Sequence, residues 1–487
     1  MLGLGAKINR SVKGRRGFTS NVAMNFDGSA DYVKILDHAD FNHDTGSYSK
    51  FTISFWFKTD DTDFSGEAKA LISKYDIGEN KREWNVRIHT DGVIYVYVSS
   101  NGTNALANVT SYTVSDTNWH HFIMRYDGSQ SATSRCIAFV DGAVVLNSST
   151  GTANSGNTAQ LNENDADVTI GAWQNSGASA NEFNGKIDEV AYWKGAMALA
   201  GSNTGFADFV YNNGNPRDLS YADGAEDLIG YWRMGEYATA GCPVPSGTYP
   251  LTITNPHDSS KYNGSCAPFF LALNWAGGKP RKVGDNLLTN GNFVDGGPAL
   301  AADETDETVN GWRGYTSSAG GNITTDTSIY RSEGKAAKLT TDADGTNILI
   351  SKSTNAVLED GECYVLEYWM YSPTDVSDSG SQEWSRSQVE LDECIESDAQ
   401  YGLSGDGNIV SSFIKINQWT RHIMVGKHNK GSNAAETVTL ARQFGNLDAG
   451  EGPVIYYFDD ISVYKLSGTH HGVVQSPGVF TLDEGVG

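Results

Sequence analysis

Positive charge is scarce in this chain of 487 residues: 35 Lys and Arg stand against 59 Asp and Glu, a net charge of −24. Wrapping nucleic acid requires clustered cations to neutralise phosphates, so that class of function is excluded. Long hydrophobic runs are missing as well. The longest apolar stretch, Ala267 to Leu273, falls far short of the roughly 18 residues of a membrane-spanning helix, and no membrane insertion is expected. The five cysteines (Cys136, Cys242, Cys266, Cys363 and Cys394) include no C-x-x-C pair, which argues against a zinc or thioredoxin-type redox site. Their odd number, with no export signal read at the N-terminus, favours reduced thiols over Cys242–Cys266 and Cys363–Cys394 bridges. G-x-S-x-G, H-E-x-x-H and a Gly-rich phosphate loop are absent.

What is abundant points to β-structure. Aromatics make up 11 % of the chain, enough to fill large cores, and 54 Gly against 11 Pro imply many tight turns between short strands. Phe51-Thr-Ile-Ser-Phe-Trp-Phe57 alternates apolar with polar until Trp56, as a strand with one buried face does. Val93-Ile-Tyr-Val-Tyr-Val98 and Phe122-Ile-Met124 are β-branched and aromatic runs. Asp91-Gly92, Asp127-Gly128 and Asp141-Gly142 flank such runs and suit hairpin turns. One helix is expected from Gly205 to Asn213, where Phe206, Phe209 and Val210 share a face. The fold class expected is all-β, two antiparallel β-sandwiches in tandem. The domain reading is a basic arm over 1–20, a first sandwich with its closing segment over 21–284, a second over 285–466, and a tail over 467–487. Asn255 to Gly264 are read as the closing strand and turn of the first.

The charge is uneven. Before Asn25 lie five basic residues (Lys7, Arg10, Lys13, Arg15, Arg16) and no acid, so the remainder carries −29. A basic arm of this kind is either a solvated terminus or a docking element for an acidic partner.

Asn25-Phe-Asp-Gly28, Phe51 to Phe57, Trp119-His-His-Phe122, Phe139-Val-Asp-Gly142, Phe183-Asn-Gly-Lys-Ile-Asp-Glu-Val-Ala-Tyr192 and Tyr231-Trp-Arg-Met234 occur in an order that resembles the laminin-G-like, concanavalin A-like jelly roll. That resemblance implies a fold shared by lectins, pentraxins, glycosidase domains and adhesive modules. Asn286-Leu-Leu-Thr-Asn-Gly-Asn-Phe293, Gly311-Trp312, Cys363 to Tyr371, Gln418 to Val425 and Tyr456-Tyr-Phe-Asp-Asp-Ile-Ser-Val-Tyr464 resemble the galactose-binding-like jelly roll of CBM4/9/22-type carbohydrate-binding modules. It implies a structural calcium between the opening and closing strands, with Asn292, Asp295 and Asp460 as ligands. Val294 stands where the family usually has an acid. In the first domain Asp27 and Asp188 are the corresponding calcium candidates. Adjacent His470 and His471 would point to opposite faces of a strand, which speaks against a metal role.

Sugar binding needs aromatic rings against pyranose faces, and amide, carboxylate or Arg groups for the hydroxyls. Trp173-Gln174-Asn175, Trp312 with Tyr315, and Trp384 with Arg386 lie in polar surroundings and are the candidates. Trp312 equally suits a core position. Trp56, Trp119, Trp193, Trp232, Trp369 and Trp419 sit in apolar strands and are expected in cores. Jelly-roll glycosidases of the laminarinase type place two Glu around an Asp on one strand, whereas Asp188-Glu189 lacks the second Glu. The reading is therefore non-catalytic. The function expected is that of a tailed-phage virion protein, in a tail fibre, appendage or head decoration. Its arm would dock on other virion proteins and its sandwiches would bind host-surface glycans, as a homo-oligomer. A non-viral polysaccharide-binding adhesin, a glycoside hydrolase with an accessory module, and a decoration protein without glycan binding are the alternatives.

Overall fold

The computed structural model describes residues 18–42, 48–197, 205–234, 251–254, 271–300, 312–373, 384–395, 410–440 and 453–486, short gaps within these spans aside. The fold is nearly all β, in four sheets that pack as two sandwiches.

In the first sandwich, one sheet runs Ala143–Leu146, Cys136–Val140, His120–Asp127, Lys50–Thr59, Asn184–Trp193, Val22–Asp27, Val479–Glu484 and Leu251–Thr254, with Leu228–Trp232 beside Asn184–Trp193. The facing sheet runs Leu271–Ala272, Gly472–Gln475, Tyr32–Ile35, Val168–Ile170, Lys69–Asp76, Lys81–Ile88, Val93–Gly102 and Leu106–Thr113. The alternation read in the sequence is realised: Phe51, Ile53, Phe55 and Phe57 are buried in the core with Trp84, Val86, Ile94 and Val96. Asp141 and Gly142 both have positive φ and close the expected two-residue hairpin. Asp127-Gly128 instead opens a longer loop through the short turn Ala132–Ser134.

The helix forms over Phe206–Tyr211. With the segment that follows, it covers the outer face of the first sheet, where Ile123, Phe139, Ala191, Trp193, Val210 and Tyr231 make a second apolar layer.

The segment after Leu466, expected to be a tail, is not one. Gly472–Gln475 pairs with Tyr32–Ile35, and Val479–Glu484 pairs with Val22–Asp27, so the last residues complete both sheets of the first sandwich. Asn255–Gly264, read as that sandwich's closing strand, lies outside the described residues. The second sandwich is thereby inserted between Leu271–Ala272, which still pairs in the first, and Gly472. Its sheets run Asn322–Asp326, Ala336–Thr340, Ile455–Leu466, Cys363–Tyr371, Thr420–His428 and Cys394–Ile395, with Lys282–Val283 on the edge of Ile455–Leu466, and Ala299–Leu300, Arg313–Thr316, Ile348–Ser353, Thr437–Leu440, Trp384–Leu391 and Val410–Lys415. Cys363, Val365 and Leu466 pack against the first sandwich's core. Cys136 and Cys363 are free thiols, and burial pushes each up to about 12.

Removing residues 467–487 would leave Val22–Asp27 and Tyr32–Ile35 as bare edges over an opened core. Calorimetry of that truncation is expected to show loss of the first sandwich's cooperative transition; an unchanged unfolding profile would contradict the pairing.

Candidate functional site

The strand Ile455–Leu466 pairs on both sides, and its register against Cys363–Tyr371 slips between Asp459 and Ser462. Asp460 is left-handed there, with φ of 51°, and its amide donates to the Asp459 carboxylate at 2.8 Å. A bulge of this kind turns the strand and re-aims its side chains. Asp459 also accepts the Arg331 and Ser332 amides at 2.7 and 2.9 Å, while the Ser332 hydroxyl donates to Asp460. Burial, together with the neighbouring Asp460 charge, pushes Asp459 up to about 6 in spite of these amides.

Beside the bulge opens a polar cavity of about 420 Å³ lined by Asn290, Asn292, Glu367, Trp369, Asp460 and Ser462, among others. Its wall follows from strand periodicity. In Cys363–Tyr371, Tyr364, Leu366, Tyr368 and Met370 face the core, so Glu367, Trp369 and Tyr371 face outward. The floor is set by Gly291, where a Cβ would lie 1.9 Å from the Ile461 carbonyl oxygen, a closeness only glycine tolerates. The Arg331 guanidinium lies 4.4 Å from the Trp369 ring centre, and Tyr371 packs against Trp419 and Tyr457. Burial alone would raise Glu367, but Arg421, at 2.6 Å, and Lys282 hold it below the usual carboxylate range. The face thus carries an aromatic wall, a fixed carboxylate and several cations.

Expectation and structure diverge on the tryptophans. Trp369 and Trp419, read as core, are half-buried on this outer face, and Trp119 is likewise half-buried rather than core. Trp56, Trp193 and Trp232 are in cores as expected. Trp312, a binding candidate, is fully buried, with its indole N–H donating to the Asn290 carbonyl at 2.9 Å. Tyr315 is half-buried on the opposite sheet. Trp384 and Arg386 lie on the strand Trp384–Leu391 of that sheet, and their side chains are outside the described residues.

Trp173 is only 6 % exposed and Gln174 only 4 %, against an expectation of an open loop; Asn175 is exposed. Trp173 and Gln174 belong to a hairpin, Trp173–Asn175 with Ala178–Ala180, folded over the outer face of the first sandwich's second sheet. There Trp173 meets Tyr75, and the Arg87 guanidinium lies 4.9 Å from Trp173 and 3.8 Å from Tyr97. Tyr95, stacked between Tyr97 and His89, extends this row. The strands bearing Trp369, Tyr95 and Tyr97 are apolar enough to read as core throughout; strict period-2 counting was the signal that separates their outward residues.

Of the metal candidates, Asn292 and Asp460 line one cavity, and Asp295 is not among its lining residues. Asp27 accepts the Ser29 amide in an ordinary turn. Asp188 is buried some four residues along the neighbouring strand, so the two are not brought together. Asp188 binds the Ser20 hydroxyl at 2.6 Å and the Val486 amide at 3.4 Å, and Glu189 pairs with Arg233 at 3.0 Å and accepts from Tyr231. Lys7, Arg10, Lys13, Arg15 and Arg16 lie outside the described residues.

The layered antiparallel sheets define a β-sandwich protein of the jelly-roll type. Residues 27–200 match the family model described as the concanavalin A-like lectin/glucanases superfamily. No curated protein matches the chain. Among solved structures, a heptameric SAP-like pentraxin from Limulus polyphemus is similar at 13 % identity and a TM-score of 0.28, over 38 % of this chain and 84 % of the pentraxin. A putative carbohydrate binding protein from Bacteroides ovatus is similar at 16 % and 0.31, over 44 % and 52 %. The CBM22-1 xylan-binding domain of Paenibacillus barcinonensis Xyn10C is similar at 13 % and 0.24, over 39 % and 99 %. These are likenesses of fold alone.

The raised Asp459 gives a pH prediction. Its folded value lies above the roughly 3.9 of an unfolded Asp, so the folded chain binds this proton first as pH falls, and the cost of ionised Asp459 is relieved between about pH 6 and 4. Asp459→Asn is expected to gain a few degrees in Tm relative to wild type on going from about pH 4.5 to 7.5; a pH-independent difference would contradict this.

Proposed function

We propose that the protein binds carbohydrate without catalysing its cleavage, and that the Trp369 cavity of the second sandwich is its glycan site. The observation that carries this reading is the cavity's composition. An indole offers a flat apolar surface to a pyranose, and Glu367, Asn292 and Asp460 offer polar atoms to its hydroxyls. The match of the first sandwich to a lectin and glucanase superfamily is consistent with it.

Glu367 and Asp460 share the cavity, which keeps a hydrolase as the second reading. A general acid must hold its proton near neutrality, and the two cations on Glu367 oppose that. The Asp188-Glu189 pair is buried and engaged by Ser20, Tyr231 and Arg233, which also favours binding over cleavage. A structural calcium belongs to the proposal at Asn292 and Asp460, where it would compete with the Ser332 hydroxyl. The setting proposed is the virion of a tailed phage, as a homo-oligomer, with the basic residues 1–18 docking on other virion proteins; the charge contrast with the acidic remainder supports this.

A glycan array is expected to give at least one saturable polysaccharide hit, weakened roughly tenfold or more by Trp369→Ala at unchanged Tm. Release of reducing ends from that polysaccharide would replace binding with hydrolysis. Deletion of residues 1–18 is expected to reduce incorporation into phage particles; normal incorporation would remove the docking arm from the account.

A further inference from the structure

Sharing no residue with the cavity's lining, three metal-ligating side chains meet where the chain returns to the first sandwich. His38 caps the single turn Ala39–Phe41, Asp40 lies within it, and His470 precedes the strand Gly472–Gln475. The His470 Nε2 lies 2.7 Å from Asp40 Oδ2, and His38 Nδ1 lies 3.3 Å from the same oxygen. One ligand atom from each of the three lies within 4.8 Å of the others. We propose that His38, Asp40 and His470 form a binding site for a divalent transition ion of the zinc class.

The chemistry of the donors selects the ion. Two imidazoles and one carboxylate suit zinc and its neighbours, whereas calcium and magnesium want oxygen alone. Three protein ligands with a fourth position open to water is a common zinc arrangement. At zinc–ligand distances of about 2.0–2.1 Å the ligand atoms stand about 3.4 Å apart. Reaching that spacing would turn His38 and Asp40, whose side chains are 55 % and 48 % exposed, and the ion would compete with the Asp40 amide that His38 Nδ1 accepts at 3.1 Å.

His470 is the fixed member. Its side chain is 7 % exposed, its ring packs on the edge of Phe41 at 5.0 Å, and its carbonyl accepts the Trp232 indole N–H at 2.9 Å. That carbonyl contact holds a backbone with φ of 57°, unusual for a residue other than glycine. Neither histidine lies on a strand: His471 accepts the Asn274 amide, while His470 meets Asp40 and His38 from the start of the sandwich, 430 and 432 residues earlier. A bound ion would therefore staple the returning segment to the start of the sandwich.

The test uses the full chain, stripped with chelator and titrated calorimetrically with zinc chloride, with calcium and magnesium chlorides as controls. One zinc per chain and a Tm raised by several degrees are expected, with no comparable response to the controls. His38→Ala keeps the Asp40–His470 hydrogen bond and is expected to fold normally, to bind zinc roughly tenfold or more weakly, and to lose the Tm rise. Absence of saturable zinc binding overturns the proposal. So does binding that His38→Ala and Asp40→Asn leave unchanged, because the ion would then be held elsewhere.

Discussion

A β-bulge entered through two consecutive acids sits in an interior strand of each sandwich, and the architecture is organised around the pair. At Asp188-Glu189 and at Asp459-Asp460 the second acid takes a positive φ, and its amide donates to the first acid at 2.8 Å. The shared geometry has opposite outcomes. In the first sandwich the bulge acids are buried and tie down the chain at Ser20, Val486, Tyr231 and Arg233. In the second the bulge holds the Arg331-Ser332 loop from one side and leaves a cavity on the other. One bulge closes its domain, and the other shapes an open site.

Closure of the first sandwich by both ends of the described chain has energetic consequences. Its sheets need strands hundreds of residues apart, so their formation waits on the slow assembly of non-local contacts. The inserted second sandwich brings those strands together, and its own Cys363, Val365 and Leu466 add to the first core. The helix Phe206–Tyr211 and its continuation cover one outer face of the first sandwich, and the Trp173 hairpin covers part of the other. The outer face around Trp369 lacks a comparable apolar cover among the described residues, which is why the polar cavity opens there.

Much of the fold was legible in the sequence because it rests on local rules. Alternation fixed the faces of Phe51–Phe57, Asp141-Gly142 fixed a hairpin, and Phe206, Phe209 and Val210 fixed a helix. The return of Val479–Glu484 was not legible, since pairing between strands so distant leaves no local mark and a Gly-rich segment reads as a tail. The site was half legible. Motif order put Asn292 and Asp460 together only as calcium candidates, Trp369 was hidden in an apolar run, and polar neighbours made the buried Trp173 look exposed and left Trp312 balanced between core and surface. Polarity of flanking residues reports the surroundings in sequence; burial depends on which element folds over the side chain.

The most direct test of a glycan site on the second sandwich is hydrogen exchange of the full chain with and without its oligosaccharide ligand. The account predicts slower exchange in peptides covering Cys363–Tyr371 and Ile455–Leu466, with Lys81–Ile88 and Val93–Gly102 unchanged. Protection confined to Lys81–Ile88 and Val93–Gly102 would move the site to the Arg87 and Tyr97 face of the first sandwich and contradict the account.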